Sequence, residues 1–229
     1  MRYGIYYVPA SDTPLAEFGS AILGYDLERA TERERLNVPG LAEGQLARLT
    51  SRARRYGFHA TLKAPFALLA DRSRIDVLKL AADIADRCHA VEISGLEVAM
   101  LGNFVALTPQ RACPELNALA AAFVEGLDLL RAVQARDEAK WPPAKLSSRQ
   151  NELLDAWGYP YVFDQYRFHM TLTDPLPAQL AGAVRDALRR AAAGVVGKPL
   201  IIDGVVVVEE TEPTALFQGI ARLRLRGHR

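Results

Sequence analysis

Residues 58–62, Phe-His-Ala-Thr-Leu, return 110 positions later (169 − 59) as residues 168–172, Phe-His-Met-Thr-Leu. Both pentapeptides combine aromatic, β-branched and aliphatic residues, so we predict that each forms a short strand. Because side chains alternate along a strand, His59 and Thr61 point to one face, as do His169 and Thr171. Each strand therefore presents an imidazole beside a hydroxyl, and two such strands side by side would carry the groups needed for acid–base chemistry on a phosphoryl group.

The order of elements after the two motifs is repeated as well. Each motif is followed by a proline, a predicted helix and two apolar runs that we interpret as a hairpin. The helix and the two runs are residues 73–89, 93–98 and 104–108 in the first half, and 178–193, 202–207 and 216–225 in the second. Such a duplication predicts approximate twofold symmetry, with His59 and His169 brought together at the axis.

The rest of the chain is predicted to pack around this frame. Residues 2–8 are typical of a first strand. Apolar residues at helical spacing predict helices elsewhere, over 15–23, 41–52, 114–136 and 147–157. We therefore expect an α+β fold of two pseudo-symmetric lobes with antiparallel sheets around a central groove. The lobes form one bilobal domain over residues 1–229, with motif repeats over about 57–109 and 167–225.

Composition limits the classes of function. The 229 residues include 28 basic and 27 acidic side chains, giving a net charge of +1, and half are hydrophobic. This is typical of a soluble globular protein, whereas proteins that bind long nucleic acids usually carry a larger basic excess. The sequence shows neither a secretory signal nor a run of about 20 apolar residues that could span a membrane. We expect a cytoplasmic protein that binds no membrane.

Several residues near the motifs are candidates for binding substrate. Lys63 shares the strand parity of His59 and Thr61, and Arg149 precedes the second motif, although both are equally consistent with solvated surface charge. Other cations flanking the motifs are Arg52, Arg54, Arg55 and Arg167. Aromatic side chains that could stack on a base or sugar, or simply pack in the core, include Tyr6, Tyr56, Phe104 and Tyr161.

The sequence offers little for a metal ion or a cofactor. A zinc site needs three or four ligands at suitable spacing, and no cysteine or carboxylate cluster stands beside the two motif histidines. The two cysteines, Cys88 and Cys113, lack paired-ligand spacing and are expected to be reduced thiols. We therefore predict no metal and no cofactor.

The paired motifs closely resemble those of the two-histidine (2H) phosphoesterase superfamily, which includes RNA 2′,3′-cyclic phosphodiesterases and bacterial 2′–5′ RNA ligase-like proteins. Within it, residues 55–63 and the stretches 157–161 and 168–173 resemble a bacterial group often encoded with phosphonate-utilisation genes. The resemblance spans essentially the whole chain. It implies a bilobal fold, catalysis without metal, His59 and His169 as catalytic residues, and Thr61 and Thr171 as phosphate ligands.

The predicted reaction is hydrolysis of a small cyclic phosphate, either a nucleoside 2′,3′-cyclic phosphate or a sugar cyclic phosphate linked to phosphonate metabolism. One imidazole would act as general base and the other as general acid, and the repeat leaves their assignment open. Two alternatives remain: RNA end processing or 2′–5′ ligation, which the near-zero net charge disfavours, and a nucleotide-binding module without turnover. The sequence does not indicate an oligomeric state.

Overall fold

The computed structural model describes residues 1–227, so that His228 lies outside the described part. Eleven strands are found within it, and most are antiparallel hairpin partners. They are β1 (Arg2–Tyr7), β2 (Tyr25–Asp26), β3 (Thr31–Glu32), β4 (Ala60–Phe66), β5 (Val91–Ile93), β6 (Leu96–Leu101), β7 (Phe104–Pro109), β8 (Met170–Thr171), β9 (Leu200–Ile202), β10 (Gly204–Glu210) and β11 (Gln218–Arg224).

Six α-helices complete the chain. They are α1 (Pro14–Leu23), α2 (Gln45–Leu49), α3 (Arg74–Ala85), α4 (Pro114–Leu127), α5 (Ser148–Trp157) and α6 (Ala178–Ala192). Their ends follow local chemistry: the Thr13 hydroxyl caps α1, which then ends at Gly24 in the left-handed conformation. Ser147 and Gln150 form a capping box at the start of α5. Within residues 1–227, none of these helices has the length and apolar character required to cross a bilayer.

Two antiparallel sheets form the two lobes, and each combines strands from both halves of the sequence. The larger sheet has the order β11-β10-β1-β4, and the smaller has the order β6-β7-β8. The motif strand of the first half, β4, therefore shares a sheet with the hairpin of the second half, whereas β8 pairs with the hairpin of the first half. The helices follow the motif strands, because α3 packs on β10 and β11 while α6 packs on β6 and β7.

This exchange places the two motif strands at adjoining sheet edges. Both β4 and β8 are the last strands of their sheets, and they contact each other between the lobes. The equivalent short strands β5 and β9 pair with one another and also connect the lobes. The predicted α+β fold with two lobes around a groove is confirmed, and the exchange of hairpins between the halves is the feature that the repeat did not reveal.

The two motif strands and two of the predicted helices differ from the structure. The motif strands begin one residue after each histidine, at Ala60 and Met170, and the second has only two residues. The helix predicted over 41–52 is reduced to α2, followed by a 3₁₀ turn over Ala53–Tyr56. The helix predicted over 114–136 stops at Leu127, where a 3₁₀ turn follows and the chain then extends toward Pro142.

Candidate active site

His59 is held at the start of β4 by two hydrogen bonds. Its Nδ1 lies 2.9 Å from the carbonyl oxygen of Gly57, which can only accept, so Nδ1 carries the proton. In the neutral ring Nε2 is then unprotonated, and it accepts from the Thr61 hydroxyl at 3.0 Å. Gly57 makes the turn with φ +67°, and a Cβ there would approach the side chain of Leu27 to 2.6 Å. The local fold therefore fixes both the tautomer and the direction of Nε2.

His169 repeats this arrangement at the start of β8. Its Nδ1 lies 2.8 Å from the carbonyl oxygen of Arg167, two residues earlier, just as Gly57 stands two residues before His59. Nδ1 again donates, which leaves Nε2 as the nitrogen available for a ligand. Thr171 follows two residues later and pairs with Ala106 on β7. The two motifs therefore share the Nδ1 hydrogen bond as well as their sequence, and the bond from the threonine hydroxyl to Nε2 is found in the first motif.

Aromatic rings pack against both imidazoles. Tyr6 stacks on His59 with ring centroids 3.7 Å apart and an angle of 18° between the planes. Tyr56 approaches the same imidazole at 6.5 Å, and Phe104 lies 5.8 Å from His169 in a tilted arrangement. Tyr6 is buried and paired with Thr61 across the sheet, so its ring supports the motif.

Burial lowers the pKa of both histidines. The pKa of His59 falls to about 4, chiefly because its charged form would lose solvation; the Gly57 carbonyl opposes the shift, and the charge of His169 adds to it. Burial also lowers the pKa of His169, against the effect of the Arg167 carbonyl. The contact between β4 and β8 places the two motifs beside each other. Both rings are neutral in the free protein near pH 7.

A cavity of about 390 Å³ opens beside the motifs. Thr61 and His169 both line it, so it joins the two lobes at the groove. Its other polar lining includes Gln150 and Gln165, whose amides are hydrogen-bonded at 3.2 Å, and Arg167, which makes no ion pair within residues 1–227. The Tyr166 hydroxyl is buried against the cavity and has no hydrogen-bond partner among the described residues. Apolar and aromatic walls surround these few polar groups, as in typical small-molecule sites.

Lys63 does not face this cavity, contrary to the parity argument. The register of β1 against β4 shifts between Tyr6↔Thr61 and Ile5↔Lys63, so that β4 contains a bulge at Leu62. A bulge breaks the alternation of side chains, and Leu62 and Lys63 are both buried. The Lys63 ammonium instead donates to the Val124 carbonyl oxygen at 2.9 Å, near the end of α4.

Arg149 is also placed away from the cavity. Its guanidinium donates to Asp164 at 2.9 Å and to Glu152 at 3.3 Å on the exposed side of α5. Neighbouring helix residues point in different directions, and it is Gln150 that lines the cavity. Tyr161 does line the cavity and meets Trp141 edge-on.

The sequence did not reveal the polar residues that distant segments contribute to the cavity. Gln150, Gln165 and Tyr159 line the cavity, but nothing in their local sequence distinguishes them from ordinary helix or turn residues. Their position depends on how α5 and the following turn pack against the first lobe. Within residues 1–227, no three His, Cys, Asp or Glu side chains are grouped in a way that could hold a metal ion.

Comparison with known proteins gives a family and several relatives. The sequence model of the family described as "Protein of unknown function (DUF1045)" matches residues 61–218. A curated relative from Janthinobacterium sp. (strain Marseille), "Ribose 1,5-bisphosphate phosphokinase PhnN", is 38% identical over 231 residues, which cover 99% of this chain and 51% of the relative. The chain spans about half the length of the curated relatives it matches.

Two solved structures are similar in fold over almost the whole chain. The crystal structure of TT0787 of Thermus thermophilus is 14% identical with a TM-score of 0.49, and it covers 100% of both chains. The crystal structure of Escherichia coli LigT complexed with 3′-AMP is 10% identical with a TM-score of 0.43, and it covers 98% of both chains.

Proposed function

The chain belongs to the DUF1045 family, and we propose that it is a metal-independent phosphodiesterase that hydrolyses a small cyclic phosphate. The observation that carries this proposal is the pair of equivalent His-x-Thr motifs on adjoining sheet edges. Each has its Nδ1 bound to a backbone carbonyl and its Nε2 available for proton transfer. On opposite sides of one phosphorus atom, one such imidazole can act as the base, and the other can act as the acid once its Nε2 is protonated.

His59 fits the role of general base. Its Nε2 is unprotonated, accepts the Thr61 hydroxyl, and stays unprotonated at neutral pH because its pKa is lowered to about 4. It would take a proton from the attacking water as the new P–O bond forms. His169, once protonated, would give its proton to the ring oxygen as the old P–O bond breaks, leaving a phosphomonoester and an alcohol.

The threonine hydroxyls would stabilise the charge that develops on the phosphoryl oxygens. Thr61 lines the cavity, and rotation of its hydroxyl from His59 toward a bound phosphate would free Nε2 for catalysis. Thr171 occupies the equivalent position in the second motif. Arg167, exposed at the cavity and without an ion pair among the described residues, would balance the negative charge of the phosphate.

Among cyclic phosphates, we favour a sugar cyclic phosphate. The relative from Janthinobacterium is named for ribose 1,5-bisphosphate. Hydrolysis of a cyclic phosphate that joins O1 and O2 of a ribose, with O2 as the leaving group, leaves a phosphate on O1. A phosphate at position 1 is one of the two phosphates in the name of this relative. The resemblance to proteins encoded with phosphonate-utilisation genes agrees with a sugar cyclic phosphate that is formed during phosphonate breakdown.

A screen of cyclic phosphates tests this proposal. Purified protein is incubated with ribose 1,2-cyclic phosphates and nucleoside 2′,3′-cyclic phosphates, with and without EDTA, and phosphomonoester formation is followed by phosphorus NMR. We expect turnover that EDTA leaves unchanged. Complete loss of turnover in EDTA would contradict the metal-free mechanism, and ligand binding without turnover would favour a nucleotide-binding module. Tight salt-dependent binding of tRNA fragments would favour RNA end processing.

A further inference from the structure

Three cations lie beyond aromatic rings near His59 and the cavity. They are Arg2 at the start of β1, Arg55 in the 3₁₀ turn before the first motif, and Lys140 in the connection between α4 and α5, and we call them the cationic cluster. Arg2 and Arg55 bind different oxygens of the same buried carboxylate, Glu210, with Arg2 Nε 2.6 Å from Oε2. No carboxylate within residues 1–227 lies at ion-pair distance from the Lys140 ammonium.

The cluster adjoins the catalytic motif through aromatic rings. The Arg55 guanidinium lies 5.5 Å from the centre of the Tyr56 ring, and that ring lies 6.5 Å from His59. The Arg2 guanidinium lies 5.6 Å from the ring of Phe217, which stacks on Tyr56 at 5.2 Å. The Arg55 guanidinium is therefore separated from the His59 imidazole by one aromatic ring, and the Arg2 guanidinium by two.

The third cation, Lys140, comes from the connection between α4 and α5. Its ammonium lies 5.2 Å from the centre of the Trp141 ring, and Trp141 meets Tyr159 and Tyr161 edge-on. Both tyrosines line the cavity that contains Thr61 and His169. Partial burial lowers the pKa of Lys140, and repulsion from Arg2 and Arg55 adds to this effect, while Asp137 opposes it.

The cluster carries more positive charge than the surrounding protein neutralises. Glu210 balances one guanidinium and Asp137 lies beside Lys140, so the three cations face two carboxylates and one positive charge remains in excess. In Arg2, only Nε donates to Glu210. In Arg55, Nε donates to the Ala215 carbonyl oxygen and one terminal nitrogen donates to Glu210. Within the described residues, the remaining terminal nitrogens have no acceptor. An ion-pair network with a purely structural role does not require this excess of cations.

The guanidiniums are held in place and still reach solvent. The side chains of Arg2 and Arg55 are 30% and 25% exposed, whereas Glu210 is 2% exposed. The backbone N–H of Phe217 donates to the Arg55 carbonyl oxygen at 2.8 Å, which fixes the 3₁₀ turn against the segment that leads into β11.

We propose that the cationic cluster binds a second phosphate group, so that the substrate is a sugar cyclic phosphate that also carries a phosphomonoester. This inference rests on the proposed function for the cyclic phosphate at the His-x-Thr motifs. A phosphomonoester would pair with the charge in excess and accept from the fixed guanidinium donors. The cyclic phosphate would then lie between the imidazoles, with the sugar against Tyr56.

Binding of D-ribose 5-phosphate, measured by calorimetry against D-ribose, tests the cluster without requiring turnover. We expect the phosphate to be necessary for binding, with Kd increased about 10-fold by Lys140→Met and at least as much by Arg55→Met. Arg189→Gln, which removes one exposed charge on α6, serves as the control and should leave Kd unchanged. Thr171→Val should also leave Kd unchanged, because it alters only the catalytic subsite.

Equal Kd values in the wild type, Lys140→Met and Arg55→Met would overturn the proposal, as would a larger effect of Thr171→Val than of Lys140→Met. Lys140 lies in an exposed connection, and its ammonium makes no hydrogen bond or ion pair within residues 1–227, so that its replacement does not threaten folding. Kinetics separate the two proposals. Absence of turnover on every cyclic phosphate would reject the proposed function alone, whereas equal kcat/KM with and without the second phosphate would reject the cluster alone.

Discussion

At the scale of single residues, the hydrogen bond from each Nδ1 to the carbonyl two residues earlier is the feature that prepares the site. It fixes one tautomer in both imidazoles and directs each Nε2 away from its own backbone. The histidines differ in environment, because His59 is covered by Tyr6 and bonded to Thr61, while His169 faces the cavity. This difference turns a near-equivalent pair into a candidate base and a candidate acid.

The pH dependence of kcat/KM should reflect the lowered pKa values. The base must be deprotonated, so activity rises as pH passes the pKa of His59, about 4. The acid must be protonated, so activity falls above the pKa of His169, which burial lowers from its ordinary value near 6.5. We therefore expect a bell-shaped profile with its optimum below pH 6.5 on a substrate that does not itself titrate there. An optimum above about pH 7.5 would contradict these assignments.

The hydroxyl groups can be tested separately from the imidazoles. Thr61→Val and Thr171→Val keep the shape of the strand and delete one donor to the phosphate, so each should lower kcat about 10²–10³-fold. Thr108→Val on β7 removes a hydroxyl from a neighbouring strand and serves as the matched control. Single-turnover rates in which the motif variants match the Thr108 variant would show that these hydroxyls do not bind developing charge.

At the scale of elements, β4 shows how one bulge decides which side chains reach the groove. Thr61 lines the cavity, but the bulge at Leu62 turns Lys63 into the core, where its ammonium binds the Val124 carbonyl in the last turn of α4. Such terminal carbonyls have no partner within their own helix. Burial lowers the pKa of Lys63 to about 8, although Asp128 opposes this effect.

Lys63→Met should therefore affect stability and leave catalysis intact. Methionine fills a similar volume but leaves the Val124 carbonyl without its donor, which costs about 1–3 kcal/mol in the free energy of unfolding. Denaturant unfolding measures this loss, and kcat/KM of the folded variant should stay within about twofold of the wild type. A large loss of kcat/KM at unchanged stability would instead show that Lys63 contributes to the substrate site.

Much of the local structure could be predicted from the sequence, because it depends on neighbouring residues. The periodicity of residues 178–193 predicted α6 almost to its ends, and the paired motifs predicted which side chains meet. The bulge in β4, the end of α4 at Leu127 and the contribution of Gln150 all depend on tertiary packing, which leaves no local pattern. The cationic cluster was missed for the same reason, since residues 2, 55 and 140 belong to three separate segments.

At the scale of the whole molecule, the exchange of hairpins ties the two halves together. Each lobe takes its motif strand and helix from one half and its hairpin from the other, and β5 pairs with β9 between them. Neither half can complete a sheet alone. The repeat therefore produces one bilobal unit, in which the two His-x-Thr motifs meet only when both sheets have formed.

This topology predicts cooperative unfolding. Differential scanning calorimetry should show a single transition whose calorimetric and van't Hoff enthalpies agree, because neither lobe keeps a complete sheet when the other is lost. Far-UV circular dichroism and tryptophan fluorescence should follow the same curve. Two separable transitions would show that the lobes fold independently, and the account of the exchanged hairpins as the source of stability would then be wrong.

The central claim is tested most directly with the cyclic phosphate that the screen identifies. Its turnover is measured for His59→Ala, His169→Ala and the double variant. Each single replacement removes the general base or the general acid and should lower kcat by about 10²–10⁴-fold. The double variant should be little worse than the weaker single variant, because the two imidazoles act as one unit. Near-normal turnover by folded His59→Ala would contradict the two-histidine mechanism.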